Sequence, residues 1–157
     1  LEKVKLAKKY LAKLSRWRIK GMLLLQRDER LIKARTGLPE ARFLSMLSTM
    51  LKQVLGESPR ALVFRSFNDM ILIRMKGVIS KQDKAILNNY QKEYRIIQIY
   101  KRQVVEAAKQ QIMSSLSEYL GLKAKDLFYD LNPERDEAIM AVCFAGNVEE
   151  RLKLLKK

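Results

Sequence analysis

The chain has 157 residues, 48% of them hydrophobic, enough for one domain with a buried core. Its formal net charge is +15, with 32 lysines and arginines against 17 acids, no histidine and a single cysteine, Cys143. These counts exclude an intramolecular disulfide framework, Ser-His-Asp and Cys-His nucleophile sets, and metal sites built on histidine or several cysteines.

No run of about 18 apolar residues occurs, so no membrane-crossing helix is expected. The apolar stretch Met22 to Leu25 is too short for the core of a signal peptide. One thiol fits a reducing compartment and hence a cytoplasmic location, at the inner face of the membrane if the chain meets lipid. The sequence starts without Met, which fits a trimmed fragment.

The charge is uneven. Residues Leu1 to Gly37 carry 12 basic and 3 acidic side chains, a net of +9. This segment reads as a basic helical arm. Val4, Ala7, Leu11 and Leu14 make a narrow apolar stripe, and Lys3, Lys5, Lys8, Lys9, Lys13, Arg16, Arg18 and Lys20 surround it. Gly21 interrupts the pattern, and a second helical piece is expected over 22–34. Gly37 and Pro39 mark the boundary to a domain over residues 38–157.

In that domain the spacing predicts a helix from Glu40 to Leu55, with Leu44, Leu47, Leu51, Val54 and Leu55 on one face and Gly56 as its stop. A hairpin follows, turning at Asn68-Asp69. That turn pairs Ser66 with Ile71, Phe64 with Ile73 and Leu62 with Met75. Leu62, Phe64, Ile71, Ile73 and Met75 then face the core, and Val63, Arg65, Phe67, Met70, Leu72, Arg74 and Lys76 face away.

Ser80 and Asp83 form a helix-start signal for a short helix to about Asn88. A long helix is expected over about Tyr94 to Leu120, with a stripe of Ile97, Tyr100, Val104, Ala108, Ile112, Leu116 and Tyr119. Gly121 ends it. A second hairpin runs from Asp126 to Leu131 and from Ala138 to Ala145, turning through Asn132 to Asp136. Its last strand is apolar at every position, as an inner strand would be. Asn147 with Glu150 caps a final short helix.

The pattern repeats: a helix ending in Leu-Gly leads into a hairpin closing at Gly77, and another into a hairpin closing at Gly146, over spans of 21 and 25 residues. The expected architecture is α+β: two helix–β-hairpin units forming a four-stranded antiparallel sheet with helices packed on one face.

The stretch Gly56-Glu57-Ser58-Pro59, the strand Asp69-Met70-Ile71-Leu72-Ile73-Arg74-Met75-Lys76 and the following Gly77-Val78-Ile79-Ser80 resemble the MpsC-like family of small bacterial proteins. Arg102 matches an arginine internal to that family's long helix, and Leu120-Gly121 stands at its turn before the second hairpin. The resemblance covers about Ala41 to Ala145. Ser58 replaces a family glycine, and a histidine common in the family's second half is absent. The resemblance implies association with a membrane-potential-generating system whose other components are membrane proteins linked to cation or bicarbonate uptake. It implies no catalytic residue.

Candidate chemistry is sparse. Cys143, between Val142 and Phe144, reads as a buried thiol. The acidic turn of Asp130, Glu134, Asp136 and Glu137 lacks calcium-loop spacing and reads as solvated. Gly56 to Pro59 has one glycine and a proline, so it is no phosphate loop. No catalytic residue, metal or cofactor is expected, and the chain reads as a non-enzymatic binding protein.

The excess of cations points to an acidic partner. The arm, with Trp17 between Arg16 and Arg18, suits an anionic lipid surface or a membrane transport protein. It equally suits a polyanion such as structured RNA, or plain helix packing. Arg65, Arg74 and Lys76 share a sheet face with Phe67, and Arg102 on the long helix completes the candidate partner-binding set. Self-association stays open.

Overall fold

The structure, a computed structural model, describes residues 39–89 and 93–155. The arm readings over Lys3 to Lys20 and the helical piece over 22–34 lie outside the described residues. Within them the elements are α1 (Pro39–Leu55), β1 (Ala61–Phe67), β2 (Met70–Lys76), α2 (Lys81–Asn89), α3 (Tyr94–Leu120), β3 (Ala124–Asn132), β4 (Glu137–Phe144) and α4 (Val148–Leu154).

The four strands form one antiparallel sheet in the order β1-β2-β4-β3. The expected pairs Ser66 with Ile71, Phe64 with Ile73 and Leu62 with Met75 are all present. Asn68 takes a left-handed φ of 49°, which a two-residue hairpin turn requires and asparagine tolerates. The two hairpins join through their second strands, so β2 and β4 are the inner pair. This explains why β4 is apolar from Ala138 to Phe144. Met70 stands on the outward face, as its register predicts, and is buried there because it lies between Phe67 of β1 and Cys143 of β4.

The core lies on the sheet face of Ile71, Ile73, Met75, Met140 and Val142. Here α1 contributes Leu47, Leu51 and Leu55 as its spacing predicts, and also Phe43. The Phe43 ring stands edge-on to Phe64, centroids 4.7 Å apart, and 5.6 Å from Tyr119 of α3. Phe43 therefore joins both helices to the sheet, an arrangement favoured by the ring quadrupoles. Leu44, expected on the core face, is only half-buried.

The long helix keeps its expected limits, and Gly121 ends it in the left-handed conformation with its N–H on the Ser117 carbonyl. Its buried face, however, is Ile97, Lys101, Val105, Ile112, Met113, Leu116 and Leu120. Tyr100, placed in the apolar stripe by spacing, is 54% exposed. Following apolar residues alone passes over Lys101, which occupies the inward position between Ile97 and Val105. Val104 consequently shifts to the flank of the helix.

Candidate functional site

Strand β2 leaves the sheet at Gly77, and the chain must turn at once into α2. Gly77 adopts φ +69°, and a Cβ there would collide with the Arg60 side chain, so both conformation and space select glycine. Ser80 and Asp83 then start α2 reciprocally. The Ser80 N–H donates to Asp83 Oδ2 at 2.8 Å, and the Asp83 N–H donates to Ser80 Oγ at 3.0 Å.

The same Asp83 oxygen lies 2.9 Å from Lys101 Nζ of α3, with only 6% and 4% of the two side chains exposed. Burial opposes ionisation of Asp83. The Lys101 ammonium and the Ser80 N–H and hydroxyl outweigh it and hold the carboxyl below its usual range. One carboxylate thus caps α2 and joins α2 to α3. Nearby on β3, burial pushes the Tyr129 phenol up, assisted by the Asp130 and Asp83 charges. Its hydroxyl has no hydrogen-bond partner among the described residues.

The turn of the second hairpin closes over this joint. Asp136, at φ 52°, accepts from the Ile79 N–H with Oδ1 at 2.7 Å and from Arg60 with Oδ2 at 3.1 Å. Its carbonyl accepts from the Gly77 N–H at 2.9 Å. Lys84 Nζ stands 3.9 Å from Oδ2. Asp136 therefore ties the end of one hairpin to the start of the next helix. An open cleft of about 270 Å³, lined by Ile79, Lys84, Leu87, Tyr94, Glu134 and Asp136, lies beside it.

The solvated-turn reading fails for two of the four acids, Asp136 and Glu137, and holds for Glu134, which is exposed, and for Asp130, 52% exposed at the side chain. Asp136 and Glu137 are respectively 17% and 19% exposed at the side chain, and both are engaged. Glu137 accepts from Arg74 at 3.2 and 3.3 Å and lies 3.4 Å from Lys76. Asp130 accepts from Arg102 at 2.6 Å, along the outer edge of the sheet. Further along that edge Lys109 lies 2.8 Å from Asp126, whose carboxylate raises the ammonium pKa against the opposing effect of burial.

Of the partner-binding residues expected in the described part, Arg74 and Lys76 share the single carboxylate of Glu137, and Arg102 pairs with Asp130. Arg65 is exposed on β1. Arg65, Arg74 and Lys76 do share one sheet face, as alternation requires, while Arg102 stands on α3 beside the far edge strand. Lys3, Lys5, Lys8, Lys9, Lys13, Arg16, Trp17, Arg18 and Lys20 lie outside the described residues.

Cys143 is half-buried rather than buried, because it points away from the core face occupied by Val142 and Phe144. Partial burial, with the Asp69 and Asp126 charges, raises its pKa and keeps it a thiol. Lys101 was missed in the sequence because a lysine carries no apolar signal. The clue is its spacing of four from both Ile97 and Val105.

Among the described residues, no group of three or more acidic or cysteine side chains is placed to hold a metal, and no helix is long and apolar enough to cross a membrane. Fold and site together define a sheet-and-helix protein of two helix–hairpin units, fastened by ion pairs at the joint between them. The chain belongs to the MpsC family: the model described as "Na+-translocating membrane potential-generating system (MpsC)" matches residues 36–146. No curated protein and no solved structure matches the chain at a significant level.

Proposed function

We propose that the chain is a non-enzymatic accessory protein that associates with a membrane-bound ion or bicarbonate transport system. The observation that carries this reading is the family match over residues 36–146, whose description is of a sodium-translocating, membrane-potential-generating system. Two further points support it. Among the described residues no helix can cross a membrane, which suits a peripheral role beside membrane components. The arm, residues 1–37, carries a net +9 in its own sequence, the densest positive charge of the chain and so the first candidate for an acidic partner or anionic lipid.

A second reading, binding of a polyanion such as structured RNA, rests on the same arm charge and on Trp17 between Arg16 and Arg18. One experiment separates the two. Co-sedimentation of the full chain is measured with membrane vesicles from the source cells, with liposomes of their extracted lipid, and with total RNA, over a salt series. Preference for the vesicles over the liposomes supports a transport-protein partner. Equal binding to both points to lipid. RNA binding that falls steeply with salt, with neither membrane bound, overturns the accessory reading. Exchanging Lys5, Lys8, Lys9, Lys13, Arg16 and Arg18 for Gln abolishes whichever interaction depends on the arm.

A further inference from the structure

The outward ridge of α3 is unlike the rest of this chain. From Ile96 the exposed positions directly opposite the buried face are Tyr100, Gln103, Ala107, Gln110 and Ser114, spaced alternately by four and three. None is charged, in a chain where 31% of residues are. Ile96, Ile99 and Tyr100 are 45%, 46% and 54% exposed, a cluster of large apolar side chains on one stretch of helix. A solvated helix face has no reason to exclude lysine and glutamate over five turns. Alternation of four and three is the spacing by which one helix seats against another at a shallow crossing angle.

We propose that two copies of the chain pair through this ridge, with their α3 helices antiparallel about a two-fold axis near Tyr100 and Gln103. Three features select a second copy. The ridge is uncharged, so it offers nothing to an acidic partner drawn by the chain's positive field. It is self-complementary: the antiparallel arrangement sets Ile96 against Ala107 of the other copy and Tyr100 against Gln103, a large side chain opposite a smaller one at each layer.

The third feature is charge. Arg95 and Glu106 are both exposed on the same flank of the ridge, 11 residues apart. Antiparallel pairing brings each Arg95 to the Glu106 of the other copy, whereas parallel pairing carries the two charged flanks to opposite sides of the interface, out of each other's reach. The second half of the ridge, Gln110 and Ser114, is polar, so the apolar contact and the axis belong to the first half.

The test is sedimentation velocity of the full chain across a concentration series. A dimer is expected. Tyr100→Glu, on an exposed position where the fold is unaffected by circular dichroism, raises the dissociation constant by at least about tenfold. Arg95→Glu weakens the dimer, and adding Glu106→Arg restores it.

Orientation is read by spin labels at Gln111→Cys in a Cys143→Ser chain. At 1.5 Å per residue the antiparallel pair separates the labels by about 30 Å, and a parallel pair by about 10 Å. A monomer at all concentrations, a dimer indifferent to Tyr100→Glu, or the short distance each overturns the proposal.

Discussion

Replacing Lys101 by Met removes a buried ammonium while keeping most of the stem's volume, and it tests the joint between α2 and α3. In the native chain Lys101 Nζ is 2.9 Å from Asp83 Oδ2, and both side chains are more than nine-tenths buried. Lys101→Met leaves the carboxylate with its Ser80 N–H but without its counter-charge. Asp83→Asn keeps an acceptor for that N–H and strands the ammonium instead. Breaking a buried pair from one side costs about 3–5 kcal/mol.

For a domain of this size that loss lowers Tm by roughly 6–20 °C, at 2–4 °C per kcal/mol. The double variant Asp83→Asn, Lys101→Met contains no stranded charge and is expected within about 1 kcal/mol of the native chain, because a buried pair is worth little over neutral residues of similar shape. Urea denaturation of the four proteins closes the cycle. A coupling energy of at least about 2 kcal/mol is expected. Additive single losses, or a Lys101→Met chain as stable as the native one, would refute the reasoning.

The pair also gives a pH signature. The folded Asp83 carboxyl is held below its ordinary 3.8, so the unfolded chain takes up the proton first as pH falls. Its stabilising contribution is full above about pH 3.8 and disappears as pH drops through the folded value. The Asp83→Asn chain lacks this part of the acid limb.

Asp136→Ala removes the acceptor of the Ile79 N–H and is expected to cost about 1–3 kcal/mol, with faster hydrogen exchange at the amides of Gly77 to Ser80 as the local readout. Gly77→Ala and Gly56→Ala both force a side chain into a left-handed φ, but only Gly77 has Arg60 in the way. The first is therefore expected to lose more than the second's roughly 1–2 kcal/mol, measured by chemical denaturation. Lys109→Gln costs under about 1 kcal/mol, since the pair is partly solvated. Because Asp126 raises the Lys109 pKa above 10.5, that stabilisation is complete below pH 10.5 and is lost as pH rises through the folded value. Denaturation midpoints above pH 10 check it.

Sequence periodicity carried the fold a long way. The register of the first hairpin could be read because a two-residue turn fixes every cross-strand pair, and Asn68-Asp69 marks that turn. The limits of α3 were legible from Gly121, and both helix starts from Ser80 with Asp83 and Asn147 with Glu150. These are local signals, carried by residues adjacent in the chain.

The candidate site was less legible. Arg74, Lys76 and Arg102 are cations on their expected elements, but their acids, Glu137 and Asp130, are 63 and 28 residues away for Arg74 and Arg102. Nothing local says whether a basic side chain faces a partner or an acid of its own chain.

What the sequence by itself determined is the basic excess, the arm holding most of it, and the two helix–hairpin units. Charge counts and periodicity need no knowledge of neighbours. What only the tertiary structure decided is where the charge goes. Joining β2 to β4 brings the acidic turn over the Gly77 joint and sets Glu137 beside Arg74, and packing α2 on α3 turns Lys101 inward to Asp83. The physical reason is that burying a charge is costly unless an opposite one arrives with it, and that arrival depends on contacts between residues far apart in the chain.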